Sequence, residues 1–167
     1  AYYAKDVNSY LAVKKDAKTL DDIKVKGPYS EVGSQSGTQL DTNPTTQICT
    51  DAVKQLLLDG TPVETTIRNC QDFTRFITVR QAKAPGAHKS GHYLGKVVRW
   101  YMQKGEMGTI NTVAANNKVA DSEGACPVMD LPTEVPFDVD YEWYINRTKE
   151  ILQDIAYSPR PKQQRLF

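Results

Sequence analysis

Between residues 73 and 105 the chain has no aspartate or glutamate, while Arg75, Arg80, Lys83, Lys89, Lys96, Arg99 and Lys104 recur there with His88 and His92 among them. Ammonium and guanidinium groups neutralise phosphates and release their counterions, which gives affinity for a polyanion without reading its sequence. From residue 121 to 142 the pattern inverts to Asp121, Glu123, Asp130, Glu134, Asp138, Asp140 and Glu142, with no Lys or Arg. A net charge of +1 hides this segregation. Charges that cancel in sum but separate along the chain are the footprint of one polyanion-facing surface; a solvated basic face is the plainer alternative.

Other chemistries find less support. No glycine-rich phosphate loop, Ser/His/Asp signature or metal-ligand spacing is present. Asp121, Asp138 and Asp140 could serve a small metal-dependent enzyme, but Asp138, Asp140 and Glu142 bracket the start of a predicted helix, where carboxylates complement the positive end of the dipole. The three cysteines, Cys49, Cys70 and Cys126, form no CxxC pair, and two histidines are too few for a Cys/His zinc set. Reduced thiols are expected, with Cys49 and Cys70 as small buried hydrophobes on helix faces. No base-reading motif is evident, nor an aromatic platform of the kind that stacks single-stranded bases, so binding of a duplex without sequence preference is expected. RNA is a rival ligand.

These groups need elements to hold them. Alternation over 7–27 predicts a β-hairpin, with Tyr10 and Ala12 on one face, Leu11 and Val13 on the other, and Ile23 and Val25 on the return strand before Gly27 and Pro28. Residues 28–43, rich in Ser, Gly and Gln, read as a linker loop. A helix follows over 44–59, with Asn43 as cap, Pro44 in its first turn, Gly60 past its end, and Ile48, Cys49, Ala52, Val53, Leu56 and Leu57 as its apolar stripe. Thr61-Pro62-Val63-Glu64 fits a capping box opening a second helix with Val63, Ile67 and Cys70 inward. A short strand over 76–80, a basic loop over 81–91 and a helix over 93–104 come next, the helix with Lys96, Arg99 and Gln103 on one face. A strand is predicted over 109–113. Asp138 or Asp140 then caps a last helix carrying Tyr144, Thr148, Ile151, Leu152 and Ile155.

At 167 residues the chain suits one domain with a real core. No stretch approaches the roughly 18 apolar residues of a membrane helix, and no signal-peptide pattern opens the chain, so a soluble intracellular protein is expected. The opening at Ala1, in the middle of a structured segment, reads as that of an excised or processed fragment. Residues 158–167 change character: Pro159 and Pro161 make an extended tail ending in Leu166 and Phe167.

That tail, Gln163-Gln164-Arg165-Leu166-Phe167, resembles the Gln-x-x-Leu-Phe pattern with which replication proteins dock to bacterial sliding clamps. Leu166 and Phe167 can fill an apolar cleft, the Gln163 amide supplies directional hydrogen bonds, and the prolines limit the entropy lost on ordering. Nearly the whole chain is similar to the C-terminal end of family B DNA polymerases, especially those of tailed bacteriophages. Asn8-Ser9-Tyr10-Leu11-Ala12-Val13 with Lys24-Val25-Lys26-Gly27 looks like that family's last palm hairpin, where a Lys-x-Tyr element meets the duplex; Asn8 replaces the usual lysine, so only Tyr10 carries over. Lys83-Ala84-Pro85-Gly86 through Gly91-His92-Tyr93-Leu94 is similar to a lysine, glycine and histidine loop. Asp140-Tyr141-Glu142-Trp143-Tyr144-Ile145 looks like the opening of the final thumb helix.

The resemblance implies an α+β fold: a mainly helical thumb domain over 44–157, a short palm-like β-hairpin over 1–27, a small β element between helices, and a flexible clamp-binding tail over 158–167. It implies binding of primer-template duplex through Tyr10, Lys83, His88, Lys89, His92, Lys96 and Arg99, and of a bacterial-type clamp through Gln163, Leu166 and Phe167, in the cytoplasm of a bacterial or phage-infected cell. The family's catalytic aspartates and fingers helix have no counterpart here. No catalytic residue and no cofactor is therefore expected in this part of a nucleotidyltransferase, magnesium belonging to the palm; the palm and fingers become expected partners. A stand-alone accessory protein of replication that binds clamp or nucleic acid is the alternative.

Overall fold

The computed structural model describes residues 2–29, 46–88, 93–106, 108–112, 118, 122–128 and 134–155, with the backbone alone at 28, 80–88, 93–97 and 112. The chain opens with an antiparallel sheet ordered β1-β2-β3, formed by β1 (Tyr2–Asp6), β2 (Ser9–Val13) and β3 (Ile23–Lys26). The expected hairpin is β2 with β3, and Leu11 faces Val25 while Val13 faces Ile23. Strand β1 was not expected: Ala4, Lys5 and Asp6 are poor strand formers, and pairing with β2 overrides that. Period-two alternation then sorts the faces. Tyr3, Leu11 and Ile23 are buried, whereas Lys24 and Lys26 are exposed.

Helix α1 (Gln47–Asp59) buries Ile48, Cys49, Ala52 and Val53. Gly60 ends it at φ 81°, a left-handed conformation that glycine adopts without strain, and its N–H donates to the Leu56 carbonyl at 2.9 Å. At the other end Thr46 is the N-cap without a side-chain bond to the helix; its Oγ1 pairs with Thr78 Oγ1 at 2.8 Å. Asn43 and Pro44, expected at this start, lie outside the described residues.

Helix α2 (Val63–Asn69) turns Val63 and Ile67 inward, while Cys70 is only partly buried at its C-cap. The expected capping box does not form, because Pro62 occupies the N-cap and Thr61 is drawn back to Asp59, its Oγ1 donating to Asp59 Oδ1 at 2.6 Å. Glu64 instead meets Lys149 at 3.4 Å.

The second sheet corrects two further expectations. A 3-10 turn (Phe73–Phe76) leads into β4 (Thr78–His88), which pairs with β5 (Tyr93–Met102), and the sheet order is β6-β4-β5-β7 with β6 (Ile110–Thr112) and β7 (Ala125–Pro127). Residues 81–88 are thus strand rather than loop, and 93–102 are strand rather than helix. Pro85 and Gly86 suggested a loop; they lie where the register slips, Gln81 to Gly86 on β4 running against only Val97 to Gly95 on β5. The helical spacing of Leu94, Val97, Val98, Tyr101 and Met102 suggested a helix; on the strand Val98, Trp100 and Met102 are buried on one face and Tyr101 on the other, so alternation is lost at that end.

Helix α3 (Tyr141–Asp154) starts where expected, with Asp140 Oδ1 accepting from the Trp143 N–H at 3.2 Å. Buried Tyr144 joins it to the rest: its hydroxyl donates to the Phe76 carbonyl at 2.7 Å and accepts from the Met102 N–H at 2.9 Å. One hydrophobic cluster includes residues of both sheets and of the three described α-helices. Each fully buried Ile or Leu in it contributes about 1.5–3 kcal/mol. The fold is α+β, with a four-stranded sheet as the β element between α2 and α3. Among the described residues no helix is long and apolar enough to cross a membrane.

Candidate nucleic-acid interface

Most of the described part of the acid-free run forms a long antiparallel ribbon. Lys83 and His88 fall on β4 and Lys96 and Arg99 on β5, so the loop-plus-helix surface is replaced by two paired strands, and the helix face expected to hold Lys96, Arg99 and Gln103 does not exist. Arg99 pairs across the ribbon with Val79 and is exposed, and Lys104 is exposed just past β5. Lys83, His88 and Lys96 are placed by their backbone alone, and Lys89 and His92 lie outside the described residues. Gln163, Leu166 and Phe167 lie outside them too.

Arg75 belongs to a different environment. Its guanidinium makes a bidentate bond to Asp51 of α1, both contacts at 2.9 Å, with side-chain exposure of 25% and 19%. An arginine held by a carboxylate fork is poorly placed to meet a phosphate.

Tyr10 sits on the outer face of the first sheet. The register builds two rows across that face, Tyr2 with Ala12 and Lys24, and Ala4 with Tyr10 and Lys26. The Tyr2 and Tyr10 rings lie 4.8 Å apart, tilted by 35°, and Tyr2 is 49% exposed. An aromatic pair of one exposed and one half-buried ring is therefore present where the sequence suggests none. Tyr2, Lys24 and Lys26 were missed as site residues, although the alternation Tyr2, Ala4 and Lys24, Lys26 could have identified them once β1 was recognised as a strand.

Four described carboxylates of the acidic segment, Glu123, Asp138, Asp140 and Glu142, have partners within the fold. Asp138 accepts from the Tyr101 hydroxyl at 3.0 Å and from the Gln103 amide at 2.6 Å, Asp140 caps α3, and Glu142 accepts from Arg68 at 2.5 Å. Glu123 pairs with Lys118, which holds its carboxyl below the usual range. Burial first, then hydrogen bonds with Cys126 and Asp138, pushes the Tyr101 hydroxyl well above the usual range for tyrosine. Asp121 lies outside the described residues. Among the described residues no three His, Cys, Asp or Glu side chains converge in a manner that could hold a metal ion. An open cleft of about 510 Å³ beside the α3 N-terminus is lined by Glu106, Glu123, Asp140 and Trp143, among others. Its charged lining is acidic, the wrong sign for a phosphate backbone.

No family model, curated protein or solved structure matches the chain.

Proposed function

We infer that the chain is the palm-end and thumb region of a family B DNA polymerase of the tailed-bacteriophage type. It grips primer-template duplex without sequence preference, and its terminal tail tethers the enzyme to a bacterial-type sliding clamp. The observation that carries the DNA reading is that Arg80, Lys83, His88, Lys96 and Arg99 of the acid-free run fall on one β-ribbon, with Arg99 exposed on it. Paired strands are slender enough to lie along a groove or track a backbone, and lysine and arginine on them supply affinity by counterion release. In this reading Lys83, Lys89, Lys96 and Arg99 bind the phosphates, and His88, His92 and Tyr10 are further DNA-binding residues. The order of sequence resemblances along the chain supports the assignment to the polymerase family.

The test is duplex binding by fluorescence anisotropy across a salt series, with DNA of unrelated sequences. Replacing Lys83 and Lys89 together by alanine weakens binding for every sequence and lowers the slope of log K against log salt by roughly 0.9 per lost phosphate contact. Unchanged affinity and slope would remove the DNA claim. The clamp claim has its own assay: a bacterial clamp retains the intact chain, and removal of Leu166 and Phe167 abolishes retention.

A further inference from the structure

We propose that the outer face of the β1-β2-β3 sheet is a stacking platform for single-stranded nucleic acid. The proposal goes beyond duplex binding and rests on its own geometry. Across the sheet the two rows put alanine and tyrosine in alternate positions and a lysine on the β3 edge each time: Tyr2, Ala12, Lys24, then Ala4, Tyr10, Lys26. Ala4 and Ala12 are partly exposed and keep the floor between the rings low. Tyr2 and Tyr10 are diagonal neighbours, close enough at 4.8 Å to form one continuous aromatic surface. No carboxylate stands in either row.

Two properties of this face select the ligand. Bases stacked in a duplex have their faces covered, so an aromatic surface in the open can engage only bases that are unpaired. Lys24 and Lys26, both exposed on the edge strand, lie to one side of the rings, where the phosphates of a strand stacked on them would run. The opposite face offers nothing comparable, since Tyr3, Leu11 and Ile23 are in the core.

The experiment uses the whole 167-residue chain and an oligothymidylate of about twelve nucleotides, a length within the range of single-strand sites. Binding is read by anisotropy and by quenching of tyrosine fluorescence. Tyr2→Leu and Tyr10→Leu retain apolar bulk on the sheet but lose the π-face, and each weakens oligothymidylate binding by roughly tenfold. Tyr2→Phe and Tyr10→Phe keep the ring and bind like wild type. Lys24→Ala and Lys26→Ala flatten the salt dependence. Far-ultraviolet circular dichroism checks that the sheet persists in each variant.

Leucine variants with an intact sheet and wild-type affinity for the oligonucleotide would overturn the proposal. So would phenylalanine variants that lose as much as the leucine ones, since the hydroxyl and not the ring would then be the contact. A blunt hairpin duplex is titrated in parallel. Oligothymidylate binding without duplex binding sinks the duplex reading and leaves this one standing; duplex binding without oligothymidylate binding does the reverse.

Discussion

Cys49 is the residue whose chemistry the fold changes most clearly. It is fully buried on α1, and its thiol points to the Tyr144 carbonyl, 3.6 Å away. Burial, opposed in part by a hydrogen bond with Thr148, pushes its pKa from an ordinary 9.0 up to about 12. The folded chain therefore keeps this proton over a range in which the unfolded chain has lost it. Stability from this group is fully present below the ordinary thiol value and falls as pH rises from about 9 toward about 12, by roughly 1 kcal/mol per unit. Cys70 and Cys126 are also raised by burial but remain in a Cys49→Ala variant, so their contributions cancel in a comparison. Urea unfolding at stepped pH should find wild type more stable than Cys49→Ala at neutral pH, because the variant leaves a small void. That advantage shrinks above pH 9. An advantage that stays constant to pH 10.5 would mean that the thiol is not titrating as its burial requires.

Elements differ in how openly the sequence declares them, and the turn after β3 provides a sharp example. Gly27 has φ 87°, and a Cβ built on it would lie 2.4 Å from the Asn8 carbonyl oxygen, a backbone atom at the start of β2. Gly60 has nearly the same φ, 81°, but faces open space. Conformation alone makes Gly60→Ala cost about 1 kcal/mol, whereas Gly27→Ala adds a backbone collision and should cost at least about 2 kcal/mol. Denaturant midpoints of the two variants check this, and equal losses would show that the close approach at Gly27 is relieved elsewhere. The sequence marked both glycines as stops because a chain terminator is a local signal. It narrowed the last cap to Asp138 or Asp140 for the same reason, a capping carboxylate needing only the next turn, and the structure uses Asp140. The cues of strands β4 and β5 are not local: Pro85 and Gly86 tolerate a slipped register only because a partner strand is present, and Val98, Tyr101 and Met102 fit a helical spacing only because the strand is buried on both faces there. The candidate site was legible to the same degree. Its charge segregation could be counted, and Tyr10 could be placed on a strand, but the companions Tyr2, Lys24 and Lys26 required the β1-β2-β3 register.

For the molecule as a whole, the question is which cations hold the fold and which are free to meet a polyanion. In sequence Arg75 and Arg99 are equivalent members of one basic run. In the structure Arg75 is clasped by Asp51, a residue 24 positions away, while Arg99 stands exposed on β5. Loss of the Arg75 guanidinium strips a half-buried carboxylate of a bidentate partner, so Arg75→Ala should cost about 2 kcal/mol of stability. Its effect on the salt slope of duplex binding should be nil, since that arginine releases no DNA counterion. Arg99→Ala should do the opposite, leaving the unfolding free energy within about 0.5 kcal/mol of wild type and lowering the magnitude of the salt slope by roughly 0.9. Urea titration and salt-dependent anisotropy on the two variants separate these roles. If Arg75→Ala changed the slope while Arg99→Ala did not, the polyanion-facing side of the molecule would be the one that carries α1, and the ribbon would have to be given up as the gripping surface.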